Sequence, residues 1–220
     1  MSSNAVSYGS RPLTRDESST LFGRTMMLVA ATAAFFALGV YAARDISPGW
    51  SWVFFVASFA VLFGISAAVQ RSGQAAIALL FAFGSLLGAS VASVIGYAAG
   101  SDPETLWKAG AATALFVAAF GTAGYATRRD LSNLARLLNW ALFGLIIFGL
   151  VAVLVQIPSG SILYAVLGLL IFAGLTSYDF QRLRRSKDIR TAPLLAASIF
   201  LDILNVFFLF VSFWGGGGDE

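Results

Sequence analysis

Apolar residues fill seven long runs that cover most of the chain, and short polar segments separate them. The runs span about residues 25–43, 50–69, 75–98, 108–127, 136–157, 161–179 and 193–214. Each is close to the roughly 20 residues that an α-helix needs to cross the hydrocarbon core of a bilayer. The breaks hold Gly, Pro or charged residues, as at Pro48-Gly49 and at residues 101–104. The pattern predicts an all-α integral membrane protein, a bundle of seven transmembrane helices.

The two ends of the chain differ from this membrane domain, which we place at residues 25–214. Residues 1–24 are polar and rich in Ser, which predicts a disordered tail. Residues 215–220 form a Gly-rich, acidic C-terminal tail. A signal peptide at the first apolar run is the alternative, but the segment before that run is long and many more spans follow it.

Composition narrows the possible functions. Of the 220 residues 58% are hydrophobic and 11% are charged, and the mean hydropathy is +0.82, whereas soluble domains carry about 25% charged residues. The chain has no Cys and no His, which excludes thiolate nucleophiles, the usual zinc sites and Ser-His catalysis. An intramembrane aspartyl protease remains conceivable, but neither Asp179 nor Asp202 follows the Gly-x-Gly of such enzymes. We therefore expect no enzymatic activity and no cofactor.

The basic residues predict the orientation. If the N-terminus is cytoplasmic, the inner loops and ends hold 12 of the 14 Lys and Arg residues, and only Arg44 and Lys108 lie outside. Such an excess is typical of cytoplasmic loops. Four of the five Trp residues fall at the outer ends of the runs, where indole rings favour the interface. The net charge of +3 is then a topology signal and no indication of nucleic-acid binding.

Two acidic residues, Asp179 and Asp202, lie within apolar runs, whereas the other nine of the 11 lie in tails and loops. An Asp at the centre of a membrane helix costs about 2.5–3.5 kcal/mol, so it normally faces an interior and has a partner. Helical spacing places Asp202 on one stripe of the seventh run. Its other members are Ser198, Asn205 and Ser212. By the same spacing, Thr176 and Arg182 share a face with Asp179.

The last two runs are joined by a short basic loop, which predicts antiparallel neighbours. Asp179 and Asp202 would then meet if the helices tilt, and two touching carboxylates in a poorly hydrated site share a proton and titrate together. The alternative is structural. In that case Asp179 pairs with Arg182 or Arg185 at the interface, and Asp202 bonds a neighbouring helix.

A stripe of small residues and a basic cluster have simpler explanations. Gly84 and Gly88 form a Gly-x-x-x-Gly that Ala92 and Gly96 extend, which predicts close helix packing, within the bundle more often than between subunits. The basic cluster from Arg182 to Arg190 could bind lipid head groups or a partner, but its role in topology is a sufficient explanation.

Three segments resemble the Bax inhibitor-1 family, also called the transmembrane Bax inhibitor motif family. Residues 172–184, Phe-Ala-Gly-Leu-Thr-Ser-Tyr-Asp-Phe-Gln-Arg-Leu-Arg, are similar to its sixth-helix signature. Residues 196–210, Ala-Ala-Ser-Ile-Phe-Leu-Asp-Ile-Leu-Asn-Val-Phe-Phe-Leu-Phe, resemble its last helix. Residues 121–132, Gly-Thr-Ala-Gly-Tyr-Ala-Thr-Arg-Arg-Asp-Leu-Ser, resemble the end of its fourth helix and the loop that follows.

The resemblance implies a bundle whose last helix is central and enclosed by six others. Bacterial members are similar to pH-sensitive calcium leak channels gated by an aspartate pair that matches Asp179 and Asp202. Eukaryotic members suppress cell death and lower the calcium stores of the endoplasmic reticulum, and some bacterial relatives restrain a membrane-anchored protease. One departure concerns gating. The members studied as channels carry an Arg in the second helix, but here only Arg71 stands at the end of that run.

The leading hypothesis is a proton-regulated calcium leak in a bacterial inner membrane, with calcium as the transported ion. Asp179 and Asp202 form the sensor and a transient calcium site, and four further residues support it: Ser198, Asn205, Arg182 and Arg71. The competing hypothesis is a non-conducting regulatory protein that binds a membrane protease or another membrane partner. A monomer is slightly favoured.

Overall fold

The computed structural model describes residues 15–156 and 160–215, and helices dominate both ranges. Eight α-helices follow one another: α1 (Arg15–Ala42), α2 (Ser51–Arg71), α3 (Gly73–Ser90), α4 (Ala92–Ser101), α5 (Pro103–Ala126), α6 (Ser132–Val155), α7 (Gly160–Arg185) and α8 (Ala192–Gly215). Short 3-10 turns, Pro48–Trp50 and Ile189–Thr191, precede α2 and α8. All helices except the ten-residue α4 are long and apolar enough to cross a membrane, which gives the seven predicted spans.

The seven spans run alternately up and down, so the bundle has two ends. We call the end where α1 begins the basic end, because the α2–α3, α5–α6 and α7–α8 connections lie there with most of the Arg residues. Hydrogen bonds tie two of these connections together. Arg184 Nη2 donates to the carbonyl oxygen of Thr127, so the end of α7 is fixed against the end of α5.

Helix α8 is the central element, as predicted. It packs against α7, α5, α1, α2 and α3. Its buried side chains contribute to both apolar clusters of the bundle. The larger cluster joins α8 to α1, α2, α3 and α7, with Phe200 and Ile199 near its centre. The smaller cluster joins α8 to α6 and α7 through Val206 and Leu209. The outward side chains are largely apolar, which is typical of a lipid-facing surface.

Glycines bring α1 and α3 into close contact, which confirms the prediction that the small residues of α3 pack against another helix of the bundle. A Cβ atom on Gly88 would lie 2.1 Å from the carbonyl oxygen of Phe36, and one on Gly84 would lie 2.8 Å from that of Thr32. On α1, Gly39 approaches the Ser85 carbonyl in the same way. The stripe ends before Gly96, where a Cβ would meet nothing within 4 Å.

The first helix begins earlier than the sequence predicts. Residues 15–24 were predicted as part of a disordered tail, but they form the first turns of α1. The physical reason is packing, because Leu21 and Thr25 are buried on the same face as Leu28 and Thr32. A helical extension that buries its apolar stripe is stable despite its polar outer face. Residues 1–14 and 216–220 of the two predicted tails lie outside the described residues.

The third predicted segment, residues 75–98, is broken in two at Val91. The regular helical backbone stops there (φ −109°, ψ 7°) and resumes in α4. Just before the break, Ser90 Oγ donates a hydrogen bond of 2.7 Å to the carbonyl of Leu87. Ser side chains that bond back to the preceding turn bend helices, and Gly-Ser neighbourhoods such as Gly88 to Ser90 are frequent kink sites.

Candidate functional site

The two membrane aspartates lie well inside their helices. Helix α7 continues to Arg185, so Asp179 is about 9 Å from its end, and Asp202 is about 15 Å from the start of α8. Since a hydrocarbon core is about 30 Å thick, Asp202 lies near the middle of the bundle. The two residues are only 7% and 6% exposed. The sequence left open whether Asp179 reaches the interface, and the structure places it in the interior.

Both carboxylates belong to one site between α7 and α8. Ser198 Oγ on α8 donates a hydrogen bond to Oδ2 of Asp179 on α7. Ser198 precedes Asp202 by one helical turn, so the two residues stand on the same face of α8. The carboxyl groups lie close enough for their charges to interact. The structure therefore brings Asp179, Asp202 and Ser198 together.

Two oxygen atoms of this site are buried without a hydrogen-bond partner among the described residues. They are Oδ2 of Asp202 and Oγ1 of Thr176, which lies on α7 near the Asp202 carboxylate. Buried polar atoms are nearly always satisfied in proteins, so an unsatisfied carboxylate oxygen is a candidate acceptor for a proton or a cation. Thr176 was not among the predicted site residues, although its spacing of three from Asp179 was the signal for it.

The arginines do not neutralise the pair through direct contacts. Arg182 is exposed and acts on Asp179 electrostatically, but no ion pair joins Asp179 to an arginine in the described part of the chain. Arg185 pairs instead with Asp130, with Nη1 and Oδ1 3.1 Å apart. Arg71 is exposed at the last residue of α2.

The prediction for Asn205 differs from its observed contacts. Its side chain is exposed, and Nδ2 donates a 2.8 Å hydrogen bond to the carbonyl of Leu201 on its own helix. The stripe of polar residues identified the polar face of α8 correctly. It could not indicate which side chains of that face a neighbouring helix covers, and the Asn205 side chain is exposed.

The site has a polar pocket on one side and an apolar cluster on the other. A pocket of about 320 Å³ opens at the basic end, lined among others by Tyr178, Arg182, Leu194 and Leu195. Tyr178 is adjacent to Asp179 along the chain, and Leu194 is one turn before Ser198. Towards the opposite end, the smaller apolar cluster begins one turn beyond the pair. Its buried members are Leu145, Ile171, Phe172, Leu175, Val206 and Leu209.

A hydrogen-bonded loop holds the end of α7 in place. Gln181 is 1% exposed, donates from Nε2 to the carbonyl of Arg129 (2.6 Å) and accepts from the backbone N–H of Leu131 (3.0 Å). In the same loop, the backbone N–H and hydroxyl of Ser132 hold the pKa of Asp130 below its usual value, and Arg185 adds to this effect. Gln181 was not among the predicted site residues, although it directly precedes the basic cluster.

Comparison with known proteins agrees with this architecture. Residues 19–219 match the family described as "Inhibitor of apoptosis-promoting Bax1". The inner membrane protein YbhL of Escherichia coli (strain K12) is 30% identical over 174 residues, which cover 73% of this chain and 72% of that protein. An uncharacterised protein of Caulobacter vibrioides is 29% identical over 215 residues, which cover 88% of this chain and 84% of that protein.

A protein of Helicobacter pylori (strain 26695) is also similar, with 29% identity over 160 residues that cover 72% of this chain and 68% of its own. The family match extends over nearly all of the seven spans described above, together with the α7–α8 site. The chain is thus a multi-pass membrane protein that belongs to the Bax inhibitor-1 family.

Proposed function

We propose that this protein is a proton-regulated calcium leak in a bacterial inner membrane. The observation that carries the proposal is the buried pair of aspartates, Asp179 and Asp202, between α7 and the central helix α8. An acidic residue in the interior of a membrane bundle marks an ion or proton pathway more often than a structural contact. Family membership supports the proposal, because the sequence resemblance extends to these two positions.

The pair works by sharing one proton. While the proton is shared, Ser198 holds Asp179 and the two side chains carry a single negative charge. When the proton leaves, two like charges face each other where water screens them poorly, which pushes α7 and α8 apart. The same charges attract a cation.

Calcium suits the oxygen atoms of the site. It binds carboxylate, carbonyl and hydroxyl oxygens, and normally takes six to eight of them. Asp179 and Asp202 supply the charge, and the hydroxyls of Ser198 and Thr176 lie beside them. Because this set is smaller than a complete calcium cage, the ion is held briefly and released, as a leak requires.

The ion enters from the pocket at the basic end and leaves through the apolar cluster beyond the pair. That cluster is closed in this structure, with Leu209 packed against Gly168 and Val206 fully buried. Separation of α7 from α8 opens it. Arg182 lines the pocket and acts electrostatically on Asp179, so its positive charge restrains cation entry.

The basic end faces the cytoplasm, so the N-terminus is cytoplasmic. The charge asymmetry of 12 basic residues against two supports this orientation. The name of the related Escherichia coli protein, an inner membrane protein, supports the bacterial inner membrane as the location.

Calcium flux into liposomes that contain the purified protein tests the proposal. We expect the flux of the unmodified protein to change between about pH 5 and pH 8, and we expect Asp179→Asn and Asp202→Asn each to abolish that dependence. Asp45→Asn is the matched control, because Asp45 is an exposed acid outside the spans, and it should keep the profile of the unmodified protein.

Two results contradict the proposal. One is a pH profile that both Asn variants leave unchanged, and the other is an unmodified protein that conducts no calcium at any pH. Either result favours the competing function, a regulatory protein that acts on a membrane protease or another membrane partner through helix contacts.

A further inference from the structure

Two adjoining pockets lie at the basic end, where α6 begins and α7 ends, and their linings do not include Asp179 or Asp202. The first, of about 320 Å³, contains Arg182 and Arg185. The second, of about 570 Å³, contains Arg136 and Trp140. Ser132 and Tyr178 line both pockets, so the two adjoin each other. We refer to the two pockets together as the α6–α7 groove.

The groove carries excess positive charge. Arg185 is the one arginine of the three with a counter-ion, since its Nη1 lies 3.1 Å from Oδ1 of Asp130. Arg136 and Arg182 are exposed and form no ion pair within the described ranges. Guanidinium groups recognise phosphate oxygens through two parallel hydrogen bonds, which makes this a site for a phosphate-bearing ligand.

The wall of the second pocket continues along an apolar face of α6. Trp140 is 72% exposed and Phe143 is 56% exposed, and Ile147 follows one turn further along. Trp marks the depth at which head groups meet acyl chains. A phosphate held by Arg136 and Arg182 would therefore have an apolar, membrane-facing surface directly beside it.

We propose that the α6–α7 groove is a binding site for an anionic phospholipid. The phosphate of the head group binds Arg136 and Arg182, and Arg185 lies close by. One acyl chain lies along Trp140 and Phe143. Basic pockets between membrane helices on the cytoplasmic side bind such head groups in general. The first pocket of the groove is also the proposed ion entry, but lipid binding is measured without calcium flux, so failure of one proposal can be told apart from failure of the other.

Trp140 provides a reporter for this site. The other four Trp residues are replaced by Phe (Trp50, Trp52, Trp107 and Trp214), and the full chain is reconstituted in phosphatidylcholine. Quenching of Trp140 fluorescence is then titrated with phosphatidylglycerol brominated on its acyl chains, and separately with phosphatidylcholine brominated in the same way. We expect the anionic lipid to be preferred about fivefold for each arginine that it engages.

Variants identify the residues responsible. Arg136→Gln and Arg182→Gln should each reduce the preference about fivefold. Arg71→Gln removes an exposed positive charge at the same end but does not line the groove, so it should leave the preference unchanged. Circular dichroism and the melting temperature show whether each variant is folded. If Arg182→Gln does not fold, the test rests on the comparison of Arg136→Gln with Arg71→Gln, because Arg136 is exposed.

Three results overturn the proposal. The first is equal quenching by the two brominated lipids in the unmodified reporter. The second is a loss of preference in Arg71→Gln as large as in Arg136→Gln, because it would indicate attraction by net charge alone. The third is displacement of the brominated phosphatidylglycerol by millimolar inorganic phosphate, which would assign the groove to a free anion instead of a lipid.

Discussion

The interface between α1 and α3 and the interface between α7 and α8 are built on opposite principles. In the first, Gly39, Gly84 and Gly88 let the two backbones almost touch, and the hydroxyls of Thr32 and Ser85 bond carbonyls of their own helices. In the second, polar groups face each other across the interface, where Ser198 donates to Asp179. Two further oxygens there have no partner among the described residues.

This difference separates structural packing from a functional site. Close contact between two backbones is stable in one arrangement only, because any displacement loses van der Waals contact. A buried carboxylate with an unsatisfied oxygen has a reason to change its protonation or its neighbours. We therefore expect α1 and α3 to form the fixed part of the bundle and α7 and α8 the part that responds to protons.

Substitution in the glycine interface should have the largest effect on stability. Gly88→Ala places a Cβ 2.1 Å from a backbone oxygen of α1, and we expect a loss of about 3 kcal/mol because the two backbones must separate. Gly96→Ala is the matched control, since its Cβ meets nothing within 4 Å. Its expected effect is a gain of up to about 1 kcal/mol from helix propensity. Thermal unfolding of the detergent-purified variants measures both. Equal melting temperatures for the two would contradict the assignment of α1 and α3 as the fixed part.

Removal of one hydroxyl from each interface should produce an intermediate effect. Ser198→Ala deprives Asp179 of its donor, and we expect it to cost about 1–3 kcal/mol because the carboxylate stays buried without that bond. Ser85→Ala removes a hydroxyl that bonds only its own helix, and we expect a change within about 0.5 kcal/mol. Ser198→Ala should also change the pH profile of calcium flux, whereas Ser85→Ala should not. The same flux profile in both variants would mean that Ser198 does not act on the pair.

The smallest effect is expected for the ion pair that holds the end of α7. The pKa of Asp130 is held below its usual value by Ser132 and then by Arg185. The ionised Asp130 carboxylate therefore stabilises the fold fully above the usual pKa of about 3.9. This stabilisation is lost as the pH falls through the lower pKa that Asp130 has in the folded protein. Asp130→Asn should lower the melting temperature slightly at neutral pH, and the difference should fade as the pH falls below about 4. If Asp130→Asn lowered the melting temperature more in acid than at neutral pH, the expected pH dependence would be wrong.

The sequence predicts the spans well because the bilayer constrains them strongly. Hydropathy identifies seven spans, and the charge in the connections predicts a basic end. The break at Val91 and the early start of α1 were not predicted, because each depends on packing within the bundle. Leu21 and Thr25 extend α1 by burying its face against other helices, and those contacts do not exist in the sequence of α1 alone.

The candidate site was predicted in part for a similar reason. Helical spacing placed Asp179, Asp202 and Ser198 on facing stripes, and the structure brings these three together. The same stripe included Asn205, whose exposed side chain donates to a carbonyl of its own helix instead. Spacing along a helix gives the direction of a side chain. It does not give the distance to the next helix, which depends on tilt and on side-chain size.

Infrared difference spectroscopy of the protonated carboxyl band tests most directly whether Asp179 and Asp202 share a proton. The band is followed between about pH 5 and pH 8 in the unmodified protein, in Asp179→Asn and in Asp202→Asn. If the pair shares a proton, each substitution moves the titration midpoint of the carboxyl that remains, because its partner's charge is gone. If each substitution removes only its own carboxyl signal and leaves the other midpoint unmoved, the aspartates titrate independently and the account is wrong.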